Sequence, residues 1–163
     1  MQELRNMTLV FLVKRGSEGV ITHICLAMKK RGFGGGKING VGGKVEQGER
    51  IEDAARREAK EEIDVKLSEL SKRAVLEFYF SHNPSWNQLV HVYLCEEWEN
   101  EPKESEEMKP EWYEVGLIPY SSMWADDRFW IPYVLDGKLV KASFTFAEND
   151  IISSQEINIV DTL

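Results

Sequence analysis

The chain has 163 residues, 42% of them apolar and 29% charged, with 20 Lys and Arg against 28 Asp and Glu. That is apolar material for one domain, 1–163, with its own core, and the composition excludes a disordered chain. The net charge of −8 disfavours a nucleic-acid polymer or an anionic membrane surface as partner, and no apolar run reaches the length of a membrane span.

MTLVFLVKR (7–15) and GVITHICLAMKK (19–30) read as a strand pair around the turn Gly16–Gly19. The first apolar run is short, strand-like and followed by charge, unlike a signal peptide. Cys25 and Cys95 lie in apolar runs without metal-ligand spacing, as expected of reduced thiols in a cytoplasmic protein, with the nuclear and mitochondrial compartments left open. RGFGGGKINGVGGK (31–44) carries seven glycines, so it is a loop whose backbone can approach a ligand closely. Lys29, Lys30, Arg31, Lys37 and Lys44 make it locally basic in an acidic chain. Its glycines have neither Walker A nor dinucleotide-fingerprint spacing.

A helix is predicted over 50–63, strands over 73–80 and 88–98 with a turn at 81–87, and a polar loop over 99–112. A short helical segment follows Pro119, and KASFTFAE (141–148) and the last dozen residues add candidate strands. Strand runs with two separated helices give an α+β class, helices packed on a mostly β core.

Stepping about 100° per residue from Ile51 places Ala54, Ala55 and Ala59 within roughly 70° of one line. Glu52, Asp53, Arg56, Arg57 and Lys60 lie opposite, an ordinary solvated face. Glu58 and Glu62 fall inside the apolar sector with Glu61 at its edge, so the three carboxylates are expected to converge. Burying like charges one turn apart is unfavourable by several kcal/mol, whereas a hard cation such as Mg²⁺, or Mn²⁺, neutralises them. With the glycine loop leading into this helix, the pattern points to metal-assisted hydrolysis of a phosphoanhydride.

Gly43, Glu49 and Arg57-Glu58-Ala59-Lys60-Glu61-Glu62-Ile63-Asp64-Val65 match the ionisable positions of the spaced pattern G-x5-E-x7-R-E-U-x-E-E-x-G-U. This resembles the nudix box. KKRGFGGGKINGVGGKVEQGE (29–49) and SMWADDRFWIP (122–132) are similar to segments of that family's animal-type oxidised-purine nucleoside triphosphatases. The resemblance implies a nudix fold, an α/β/α sandwich with a mixed, curved sheet and a loop–helix–loop nudix box. It implies Mg²⁺-dependent attack of water on a nucleoside triphosphate, releasing a monophosphate and pyrophosphate, by a monomer acting on a small molecule.

By position, the metal ligands implied are Glu58, Glu61, Glu62, Glu107 and the Gly42 carbonyl. Glu61 or Glu62 would activate water, and Arg57 and Glu49 would orient the carboxylates. Asn39, Trp124, Asp126 and Asp127 would read the base, with Phe33, Phe78 and Trp130 lining the pocket. Thr8, Lys29, Gly42, Gly43 and Lys44 would lie near sugar and phosphates. Trp124 offers a flat face for a purine, and two adjacent aspartates in an apolar pocket should share a proton. Without the resemblance, Asp126-Asp127 reads as an acidic helix start and the tryptophans as core.

Three features depart from the family pattern. Asp64 replaces the box glycine, Ala59 a bulkier apolar residue, and 81–88 differs in length, with Gln88 near an expected apolar position. The alternatives are a nudix hydrolase of another nucleoside diphosphate derivative, such as a methylated purine nucleotide, dinucleoside polyphosphate or nucleotide sugar, and a non-catalytic nucleotide-binding domain.

Overall fold

Leu9–Val13 is apolar at every position, a pattern that suits a strand covered on both faces. In the structure, a computed structural model that describes residues 4–163, this run is the middle of β1 (Arg5–Arg15). The chain continues through β2 (Ile21–Lys29), β3 (Ile38–Asn39), α1 (Ile51–Ile63), β4 (Lys66–Leu67), β5 (Ser71–Phe80) and β6 (Gln88–Cys95). It closes with β7 (Trp98–Glu99), β8 (Met108–Glu114), α2 (Asp127–Leu135), β9 (Leu139–Ala147) and β10 (Ile151–Val160).

The main sheet runs β10-β9-β5-β6-β1-β2-β3, with β8 also paired to β2. β1 is parallel to β6 and β5 to β9, while the other pairs are antiparallel, so the sheet is mixed and open. Leu9, Phe11 and Val13 face the cluster that holds Trp130, Ile131 and Val134 of α2. Val10 and Leu12 face the other cluster, with Ala55, Ala59 and Ile63 of α1. One helix on each side of a mixed sheet is the expected α+β sandwich. Ala54, Ala55 and Ala59 are fully buried, so the small Ala59 is a packing feature that lets α1 lie close to the sheet.

The largest disagreement with the sequence reading is β8. MKPEW, the end of the polar loop expected over 99–112, is strand instead, and with Tyr113 and Glu114 it pairs with β2 from His23↔Glu114 to Lys29↔Met108. Its burial alternates weakly, and Pro110 is tolerated because β8 pairs on one side only. The predicted strand 88–98 ends at Cys95, with Trp98 in the separate β4–β7 pair, and the helix after Pro119 begins in earnest only at Asp127. Cys25 and Cys95 are free and buried, and burial pushes the Cys25 thiol up to about 12. No helix among the described residues is long and apolar enough to cross a membrane.

α1 ends at Asp64 in the left-handed conformation (φ 58°, ψ 38°), its N–H donating to the Lys60 carbonyl. An L-residue is disfavoured there by roughly 1–2 kcal/mol, least for Asp and Asn. Asp64→Val is therefore expected to lower the unfolding free energy by about 1–2 kcal/mol. Asp64→Gly should stay within about 0.5 kcal/mol of the parent, with unchanged turnover. Urea denaturation of both decides the matter; a valine variant as stable as the parent would show that the cap conformation carries no strain.

Candidate active site

Two walls define the site, one from the nudix-type helix and one from the sheet face under α2. At the first, Thr8 on β1 fixes the loop that precedes α1. Its N–H donates to the Gly43 carbonyl at 2.8 Å, and the Gly43 N–H approaches Thr8 Oγ1 at 3.3 Å. The loop must be glycine here. A Cβ on Gly42 would lie 1.9 Å from the Thr8 carbonyl oxygen, and one on Gly43 2.6 Å from the Glu58 carboxyl carbon.

Arg57 organises the carboxylates. Its guanidinium donates to both oxygens of Glu49 at 2.9 Å, to Glu58 at 2.8 Å, to Glu61 at 3.5 Å and to the Lys44 carbonyl at 3.0 Å. The bidentate pair holds Glu49 down at about 2. Arg57, assigned to the solvated face by the helix wheel, is thus a half-buried hub. Lys44 serves through its carbonyl and does not line the cavity described below.

Glu62 is 6% exposed, and its Oε2 has no hydrogen-bond partner. Burial, then the charge of Glu58 beside it, pushes its carboxyl up to about 8. Burial also raises Glu58, opposed by Arg57. Glu61 breaks the expected convergence. Its side chain is 58% exposed and turned to Arg57, the cation one helical turn earlier. Glu107 sits on the distant loop, 3.8 Å from Arg31, where its charge still reaches Glu62. Among the described residues, no three acidic, histidine or cysteine side chains stand together in a metal-holding group. A preassembled pair remains, Glu58 and Glu62. A buried carboxylate oxygen without a partner, against a second carboxylate and a glycine backbone, fits a hard divalent cation.

The second wall is an open cavity. Thr8, Lys29, Phe33, Asn39, Gly42, Gly43, Phe78, Trp124, Asp126 and Asp127 all border it, so the structure brings these sequence candidates together. It joins the glycine loop to the far aspartates in one space. The reading missed Met7, Leu9, Phe80, Val90, Met108 and Phe146 as lining residues, although the alternation Met7-x-Leu9 and Phe78-x-Phe80 carries that information. Gln88 also borders it, its amide donating to the Trp86 carbonyl at 3.1 Å. Phe33 stacks on one face of Trp124 at 5.3 Å between ring centroids. Asn39 Oδ1 accepts from the Gly40 N–H at 2.8 Å, so its NH₂ is the donor it can offer inward.

Trp130 does not line the cavity. It is fully buried among Phe11 and the α2 core, and its indole N–H donates to Asp126 Oδ2 at 2.7 Å. Asp126 and Asp127 are 3% and 2% exposed, neither caps α2 through its side chain, and Asp127 Oδ2 has no partner. The pair does stand at the start of α2, as the acidic-helix-start reading has it, but buried instead of solvated. Burial pushes Asp126 up to about 6, and burial with the Asp126 charge raises Asp127 well beyond the usual carboxylate range. His91 is buried on the other face with its Nε2 on Asn6, and burial lowers it to about 4. It is a neutral structural histidine.

Residues 4–134 match the family model of the NUDIX domain. A zebrafish (Danio rerio) oxidized purine nucleoside triphosphate hydrolase is 41% identical over 157 residues, 96% of each chain. The mouse (Mus musculus) protein of that name is 40% identical over 139 residues, 85% of this chain and 88% of its own. Among solved structures, a mutator MutT protein from Bacillus halodurans superposes with a TM-score of 0.81 at 22% identity, covering 95% of this chain and 98% of its own, which shows the fold. The helix with its inward carboxylates, the glycine loop against Glu58 and these similarities lead to one conclusion: the chain belongs to the nudix family of hydrolases.

Proposed function

We propose that the protein hydrolyses oxidised purine nucleoside triphosphates of the 8-oxo-dGTP and 2-hydroxy-dATP type to the nucleoside monophosphate and pyrophosphate. The observation that carries this reading is the cavity that joins a buried aspartate pair to the glycine loop lying against Glu58, in a chain about 40% identical to two hydrolases of that name. Glu58 and Glu62, with the Gly42 carbonyl and the more distant Glu61 and Glu107, would hold Mg²⁺, or Mn²⁺ in its place. A bound divalent cation neutralises the triphosphate and polarises the scissile P–O bond.

The chain's own residues do the rest. Arg57 and Glu49 keep Glu58 turned toward the Gly43 backbone. The water proton leaves onto Glu61 or Glu62. Glu61→Gln and Glu62→Gln separate the two: a lost ligand is recovered by raising the cation concentration, a lost base is not. Lys29 lies on the triphosphate side of the cavity. Asp126 and Asp127 read the purine edge, and Trp124 with Phe33 and Phe78 supplies the aromatic walls. The protein acts as a monomer on the cytoplasmic nucleotide pool, sanitising it.

The test is product analysis. With Mg²⁺, 8-oxo-dGTP should yield one monophosphate and one pyrophosphate, and a chelator should abolish turnover. Release of inorganic phosphate, or no turnover, would overturn the reading.

A further inference from the structure

At the mouth of the cavity three segments distant in sequence meet. The glycine loop presents Phe33 and Lys37. The indole of Trp124 lies beneath them. The turn joining β9 to β10 presents Asp150. Lys37 Nζ is 4.9 Å from the Trp124 ring centroid and 3.5 Å from Asp150 Oδ2. The same loop lays Phe33 on Trp124, and a Cβ on Gly34 would already be in van der Waals contact with the indole at 3.4 Å. Phe33 is 41% exposed and also meets Phe80 and Trp86. The loop's backbone is tied to Lys29, the Gly36 N–H donating to its carbonyl at 2.7 Å and the Lys37 carbonyl accepting from its N–H at 3.0 Å. The Lys37 side chain adds the one charged tie between this loop and Trp124 among the described residues.

The turn shows how Asp150 comes to face Lys37. Asn149 and Asp150 have φ of 64° and 57°, two successive left-handed residues in the three-residue loop between paired Ala147 and Ile151, whose last place is the left-handed one in hairpins of this length. Glycine is favoured in the second of these places, because it has no Cβ to strain. Aspartate there is conformationally unfavourable, and it supplies a carboxylate to the only lysine that both borders the cavity and touches Trp124 among the described residues. An ion pair this exposed contributes little to global stability. Its effect falls on where the loop lies.

We propose that Asp150 is a positioning residue for substrate binding: through Lys37 it latches the 31–37 loop onto Trp124 and so sets the aromatic wall against which the purine packs. The proposal rests on the cavity being the purine site. It assigns Asp150 no contact with substrate and no part in the hydrolytic step.

Asp150→Gly tests it, because glycine fits the turn and removes only the carboxylate. The variant should keep its melting temperature and kcat, raise KM for 8-oxo-dGTP by roughly two- to fivefold, the range an exposed ion pair spans, and speed amide exchange over 33–37. Adding Asp150→Gly to Lys37→Met should change KM no further, since Asp150 acts through Lys37. Unchanged KM and exchange in Asp150→Gly, or additive effects in the double variant, would overturn the latch. If the parent does not turn over 8-oxo-dGTP, the substrate reading fails instead. The exchange rates of 33–37 in Asp150→Gly then still decide the latch: faster exchange upholds it and unchanged exchange overturns it.

Discussion

Replacing Glu62 with glutamine is expected to lower kcat by about 10²–10⁴-fold while leaving the protein at least as stable as before. The two halves of this expectation come from one observation. Glu62 is buried, its Oε2 has no partner, and Glu58 lies beside it. As a structural element such a carboxyl is unfavourable: burial and the Glu58 charge push it up to about 8, so folding at neutral pH must put a proton on it. An isosteric amide removes that protonation and keeps the volume, and stabilisation of about 1 kcal/mol is in the range seen when buried charges are removed. A residue retained for packing would behave in the opposite way, losing stability first and activity only as a consequence. The check pairs steady-state turnover with a urea titration of the same preparation. A glutamine variant that is less stable and still active would contradict the assignment.

The second large effect belongs to Asp126 and Asp127. Each single substitution by asparagine is expected to reduce the preference for an oxidised over an ordinary purine by about 10- to 100-fold, the value of one hydrogen bond to a charged or proton-sharing group. Burial raises both carboxyls, Asp127 further than Asp126, so on the proposed reading Asp126 is the acceptor toward the purine and Asp127 the donor. The pair's pH dependence has a defined sign. Asp126 titrates at about 6 folded against 3.8 for an ordinary aspartate, so between these values the folded state holds the extra proton. Its contribution to stability is complete below about 3.8 and is lost as pH rises through about 6. Activity moves the other way: kcat/KM for 8-oxo-dGTP should fall as pH drops through about 6 and the acceptor becomes protonated. Asp126→Asn should remove both inflections, measured as differences from the parent. An unchanged pH profile in that variant would place the titration elsewhere.

What could be read from the sequence was what depends on local period. The inward azimuth of Glu58 and Glu62 follows from 3.6 residues per turn, and the doubly covered β1 from an unbroken apolar run. The left-handed Asp64 was visible only through the resembled pattern, which has glycine at that place. The wheel could not give rotamers, so it placed Glu61 with its neighbours, where Arg57 in fact draws it outward. Nor could it show that Arg57 is a hub, which depends on Glu49 and Lys44 folding back from the preceding loop. β8 was hidden because Pro110 and alternating charges mimic a loop, and only the unpaired edge of β2 makes it a strand. Trp130 was assigned to the pocket by its position in the motif. The structure shows it one layer deeper, holding Asp126 in place. The meeting of Lys37 with Asp150 depends on the hairpin at the far end of the sheet and has no local signal at all.

The most direct measurement is the ratio of kcat/KM for 8-oxo-dGTP over dGTP, taken with Mg²⁺ at neutral pH beside 2-hydroxy-dATP, O6-methyl-dGTP and dATP. An oxidised-purine hydrolase with a buried, proton-sharing aspartate pair should favour 8-oxo-dGTP by at least about tenfold, and lose that margin in Asp126→Asn and Asp127→Asn. A ratio near one, or a preference for the methylated nucleotide that both variants retain, would contradict it.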